Sequence, residues 1–261
     1  MEAAILLEQP LDKVLTMILF ATVKKGAVEV TATEPLKIKA ITPDPEGLQP
    51  YETQFIKAMT KDDKKATRSD LQDMMIELVK GLAGKMKGFS RKETVEYYKD
   101  IVQRAWAQVE AADTPEVKSE KFADTMEWTM LDKDYDDRTR RTFQSGPVYV
   151  PTWWGRYDPT FPRSAPAASG PAPSLPSSKG GLSLPTLPGS TFAASVVRGV
   201  ENFSGNVVGD IGEFTGAVTN KTNPIPVSTS SGGSSGRSGG GGCACACACA
   251  GCACACAGGG R

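Results

Sequence analysis

The chain has 261 residues, with 30 Lys+Arg balanced by 30 Asp+Glu, seven Cys and no His. The neutral total hides a split: through residue 145 there are 23 basic and 26 acidic residues, a net of −3, whereas the last 116 residues carry seven and four, with 22 of the 27 Gly and 12 of the 18 Pro. The balance excludes a global basic field for nucleic acid, the missing His removes the commonest general base, metal ligand and pH switch, and the Gly/Pro-rich half cannot bury enough apolar surface to offset its ordering entropy.

Residues 1–42 read as a compact unit. A short helix runs from Glu2 to Glu8, Gln9-Pro10 breaks it, and a second helix follows from Leu11 to Lys25. Pro10 suits a first helical turn, Lys24 and Lys25 suit the negative end of the helix dipole, and Gly26 is a natural C-terminal cap. Val28-Glu29-Val30-Thr31 and Leu36-Lys37-Ile38-Lys39 alternate in hydrophobicity and predict a β-hairpin. Helix, turn, helix and hairpin in this order resemble the second half of a winged-helix domain. Met1 already lies inside an amphipathic pattern, so the first helix of such a bundle is expected from an upstream portion, from a partner or from the next domain. The run Val14 to Val23 is about half the length of a membrane-spanning helix, and Glu2 and Glu8 stand where an export signal would be basic. A reducing cytoplasm follows, and with it free or metal-bound thiols.

Residues 48–143 read as a helical bundle. Pro50 opens a helix through Met59; Ser69-Asp70-Leu71-Gln72 is read as the capping box of a second, bearing Leu71, Met74, Met75, Leu78, Val79, Leu82 and Met86. Ser90-Arg91-Lys92-Glu93 caps a third, and Thr114-Pro115 starts a fourth with Val117, Phe122 and Met126. The apolar residues recur at three- and four-residue spacing, as a packed helical face requires. Met74, Met75, Met86 and Met126 form an alternative, adaptable surface for a partner helix. Asp132, Asp134, Asp136 and Asp137 alternate like a calcium loop, but Asp137 and Phe143 stand where its Gly and Glu belong, so a solvated helix end is expected.

Residues 144–163 form an aromatic and Pro-rich strip containing Trp153 and Trp154. It is expected to lie as a strap over the helical domain, or to serve as a partner-binding peptide. Residues 164–189 are linker. Within 190–220, Val196, Val200, Phe203, Val207, Ile211, Phe214 and Val218 advance 22 residues in six steps, the 11-residue period of a straight amphipathic helix. Its glycines predict a transient helix, with docking on protein or on a membrane surface through 196–218 as the alternatives. Residues 221–242 are Gly/Ser linker.

The 243–261 tail concentrates the distinctive chemistry. Cys243, Cys245, Cys247, Cys249, Cys252, Cys254 and Cys256 fall within 14 residues, separated mostly by Ala. This repetition resembles the Cys-x-Cys pattern of metallothioneins. A thiolate-only donor set suits copper(I), which two or three thiolates satisfy, while zinc would take four and leave three spare. Neutral expansion of a codon repeat, intermolecular disulfides and multiple acylation are the other readings of the strip.

The run Leu6-Leu7-Glu8-Gln9-Pro10-Leu11-Asp12-Lys13-Val14-Leu15-Thr16, with Lys24-Lys25-Gly26 and a Gly-rich terminus, is similar to the cytoplasmic parts of bacterial membrane proteins that carry glycine-rich tails. That resemblance implies spanning helices upstream and a place at the inner face of a membrane; it implies no activity. The expected fold class is mainly α: a winged-helix-like unit, a helical bundle, then a long disordered Gly/Pro/Ser-rich tail. The expected function is a non-enzymatic interaction or scaffold protein, partnered by another protein or by the upstream region, with a tail for soft metal. The alternative is a metal-responsive winged-helix DNA-binding regulator. Nucleic acid is disfavoured because the second helix offers only Asp12, Lys13, Thr16 and Thr22 as polar readers before its terminal lysines.

Overall fold

A computed structural model describes residues 1–33, 35–143, 153–158 and 207–224. The chain is mainly helical with one small two-stranded antiparallel sheet. The elements are α1 (Glu2–Leu6), α2 (Leu11–Lys24), β1 (Val28–Thr33), β2 (Leu36–Ala40), α3 (Pro50–Met59), α4 (Lys64–Lys85), α5 (Arg91–Glu110), α6 (Pro115–Thr129), α7 (Tyr135–Thr142), α8 (Trp154–Tyr157) and α9 (Ile211–Thr222).

Helix α2 is the hub, because its sequence leaves almost no polar face: 11 of its 14 residues are buried. It ends in a Schellman motif. The N–H of Ala27 donates to the Thr22 carbonyl (2.9 Å) and that of Gly26 to Val23 (3.0 Å), with Gly26 at φ 78°, a conformation that spares glycine the Cβ clash of other residues. The hairpin follows at once. Val28 and Val30 of β1 point into the core with Ile38 of β2, and an extra residue in β1 between Val30 and Ala32 shifts the register. One core encloses α2, the hairpin, α3 to α7, Trp153, Trp154, Tyr157 and α9; a smaller cluster joins Ile5 and Leu6 to Val79 and Leu82. The stretches 1–42 and 48–143 therefore bury their apolar surface against each other.

Three helix starts sit where local chemistry places them. Pro50 occupies the first turn of α3; the Ser90 hydroxyl accepts from the Glu93 N–H (3.4 Å) at α5, and Thr114 from Val117 (3.3 Å) at α6. Helix α4 departs from expectation. It begins at Lys64, capped by Asp63, whose carboxylate accepts from Lys65 (2.8 Å) and Ala66 (3.4 Å), so Ser69 to Gln72 lie inside the helix. The first turn, Lys64 to Arg68, is mostly charged and carries no apolar rhythm to announce it. Helix α7 starts in the Asp-rich stretch: Asp136 and Asp137 stand in its first turn and Arg140 and Arg141 in its last, each favourable to the dipole.

The segments nearest the tail are tied back onto this body. Trp154 is fully buried, with its ring 5.7 Å from that of Phe20 on α2, and Tyr157 meets Phe20 edge-on at 4.7 Å. Arg156 donates from Nε and Nη2 to the Val23 carbonyl (3.3 and 3.2 Å), which also accepts from the Gly26 N–H, and so places a cation at the negative end of α2. Helix α9, capped by the Asp210 carboxylate on the Glu213 N–H (2.8 Å), packs along α4 and buries Phe214 and Val218. In place of a transient helix, residues 211–222 form a docked one. Of the glycines in the period, Gly209 sits outside the helix at φ 70°, and only Gly212 and Gly216 fall within it.

Candidate functional site

A groove of about 930 Å³ opens between the turn after α1, the first half of α5 and the α6–α7 connection. Its apolar floor comes from Leu6, Leu7, Val95, Val102 and Leu131; its rim alternates in sign, with Lys92, Lys99 and Lys133 against Glu96 and Asp134. The walls are fixed by polar contacts between distant parts of the chain. Glu8, at φ 55°, directs its carboxylate to Arg91 (2.7 Å), and the buried Gln9 side chain donates to the Leu131 carbonyl (3.0 Å). Lys13 donates to the Asp132 carbonyl (3.1 Å), and burial pulls its pKa down against the raising pull of Asp136, Asp132 and Asp12.

Arg138 locks the far wall. Its guanidinium makes a forked pair with Glu110 (2.7 and 3.2 Å), reaches Asp132 at 3.0 Å and Gln103 at 3.1 Å, and lies 4.9 Å over the Trp106 ring. The Glu110 hydrogen bond in particular raises its pKa. This occupation explains the carboxylate cluster: Asp132 serves Arg138 and the Asp134 N–H (3.1 Å), and no group of three His, Cys, Asp or Glu side chains able to hold a metal occurs among the described residues.

The seven tail cysteines, most of the 144–163 strip and the Gly/Ser linker beyond residue 224 lie outside the described residues, and the linker's first two residues, Lys221 and Thr222, belong to α9. The methionine surface is not formed, because Met74, Met75 and Met126 are buried in the core and only Met86 is half-exposed. The polar positions of α2 are also taken: Thr16 donates to the Asp12 carbonyl (2.9 Å), Thr22 to Leu19 (2.8 Å) and Lys24 to Ala123 (3.0 Å), beside the Lys13 contact described above. Sequence reading missed the groove because Leu7, Val95 and Leu131 meet only through tertiary packing. Gln9 gave the nearest signal, a polar residue set between two apolar helices.

No protein-family model matches the chain, and neither a curated protein nor a solved structure matches it. No helix among the described residues is long and apolar enough to cross a membrane.

Proposed function

We propose that the chain is a non-enzymatic interaction protein of a membrane-associated assembly, whose helical body holds an amphipathic segment of a partner protein and whose tail takes up soft metal. The observation that carries the docking part is the α1–α5 groove, where an apolar floor is framed by charges of both signs. Such a surface suits a partner strip that is apolar in the middle and charged at its edges. For the tail, the donor chemistry supports the reading: Cys243, Cys245, Cys247, Cys249, Cys252, Cys254 and Cys256 supply thiolates alone, and copper(I) is the divalent zinc's better-matched competitor for them.

Two measurements test this. Intact full-length protein, reduced and mixed with copper(I) or zinc, is weighed by native mass spectrometry; metal-loaded species that vanish when the seven cysteines are changed to serine are expected, and apo protein alone at excess metal overturns the tail assignment. A photocrosslinking residue at Val95 should trap one discrete protein adduct in cells, and the same residue at Lys57, outside the groove, should not. Equal labelling at both positions overturns the docking reading. A DNA regulator would need polar side chains on α2 turned to base edges. Salt-sensitive retardation of bulk DNA by the purified chain would favour that second reading over the first.

A further inference from the structure

Between Glu77 and Glu93 the chain holds five basic residues and no acidic one. The stretch contains the end of α4, a turn at Gly88 (φ 87°) and the Ser90 cap of α5, so these charges gather at one corner. Lys85 is paired with Glu2 and Arg91 with Glu8. Lys80 and Lys87 are exposed and have no acidic partner among the described residues. Phe89, in the same turn, is 70% exposed, more than any other large apolar side chain described. It shares with the two lysines a trough of about 440 Å³ whose base includes Leu82 and Met86.

We propose that this α4–α5 corner binds the surface of a bilayer leaflet rich in anionic lipid, with Phe89 entering the interface and Lys80 and Lys87 pairing with headgroup anions. The proposal goes beyond docking in the α1–α5 groove and uses a neighbouring concavity, which meets the groove at Leu6 and Arg91 but has Lys80, Lys87 and Phe89 to itself. A phenyl ring left in water beside unpaired cations is the pattern that an interface resolves, since it is apolar a few ångströms below an anionic plane. The local positive charge stands on a half-chain that is acidic as a whole. A nucleic acid is the poorer fit: the trough offers the single ring of Phe89 over an aliphatic base and only two free cations, too few for a run of stacked bases and their phosphates.

The test is cosedimentation of the full chain, under reducing conditions, with vesicles of phosphatidylcholine alone or mixed with phosphatidylserine. Binding to the mixed vesicles only, weakened by salt, is expected. Lys80→Ala with Lys87→Ala should reduce it about twenty-five-fold, at about fivefold for each charge. Phe89→Ser should reduce it about tenfold. Lys80→Arg with Lys87→Arg should retain it, as should Lys64→Ala with Lys65→Ala, which removes equal charge from the other end of α4. Circular dichroism verifies the fold of each variant. Absence of binding to mixed vesicles overturns the proposal, as does equal loss in the Lys64/Lys65 pair. Preferential binding to bulk DNA that is lost in the Lys80/Lys87 pair also overturns it and assigns the corner to nucleic acid.

Discussion

At the scale of single residues, two hydroxyls stand out by what they lack. Tyr135 Oη and Thr139 Oγ1, one turn apart on α7, are enclosed with only each other at hand and no well-formed hydrogen bond, although enclosing a polar group without a full partner costs about 1–3 kcal/mol. Burial pushes the Tyr135 pKa well above its ordinary 10.0, against a lowering pull from the Thr139 hydroxyl and with a smaller raising one from Asp136. Burial, with Glu52 next, does the same to Tyr51. Above pH 10 the unfolded chain ionises these tyrosines while the folded chain keeps them neutral; the unfolded state then binds fewer protons, and stability falls as pH rises. Tyr135→Phe is accordingly expected to leave stability at neutral pH unchanged or raised by about 1 kcal/mol. It should also make the alkaline loss shallower, as read from urea midpoints across the pH series. Gly81 and Gly84 offer a second case. Both sit inside α4 with nothing within 4 Å of where a Cβ would be, so each Gly→Ala change should add about 1 kcal/mol to stability, measured by denaturant unfolding.

Elements were legible in the sequence where short-range chemistry defines them. Ser90, Pro50 and Thr114-Pro115 are helix starts by their own side chains, and α2 declares its central place by an unbroken apolar run. The start of α4 was hidden because Asp63 is followed by a charged turn, and α7 because Tyr135 and Thr139 are its only buried residues. The groove was illegible altogether, since residues more than 80 positions apart form its walls. Helix α9 shows the opposite problem: its glycines argue against helix, and tertiary contact overrides them. Phe214 and Val218 face α4, while the pairs Arg68–Glu213 (3.1 Å) and Lys221–Asp73 (3.2 Å) are largely exposed and contribute little. Phe214→Ala, expected to remove about 3 kcal/mol or more, should undock this helix. Hydrogen exchange would then show residues 211–222 unprotected and α2 still protected; unchanged protection of both would refute the assignment of docking to Phe214.

For the whole molecule, one core joins the 1–42 and 48–143 stretches that the order of elements marked off. Leu15, Ile18 and Leu19 of α2 lie in the same cluster as Phe55, Leu71, Trp106 and Phe122 from four later helices. Lys25 on one side bonds Glu52, which is 1% exposed, on the other (2.6 Å). Residues 43–143 expressed alone would leave an empty slot where α2 belongs and should lack a cooperative transition. The intact chain should unfold the two stretches together, in one step by both circular dichroism and tryptophan fluorescence. Two resolved steps would restore the two-domain description.

The pairing of α9 with α4 also has a mechanical consequence. Glu213 meets Arg68 and Lys221 meets Asp73, so the two helices run in the same direction, and the tail leaves from the last turn of α9. Tension applied to the tail therefore loads the Lys221 pair first, then Val218, then Phe214, peeling the helix turn by turn from its weakest end.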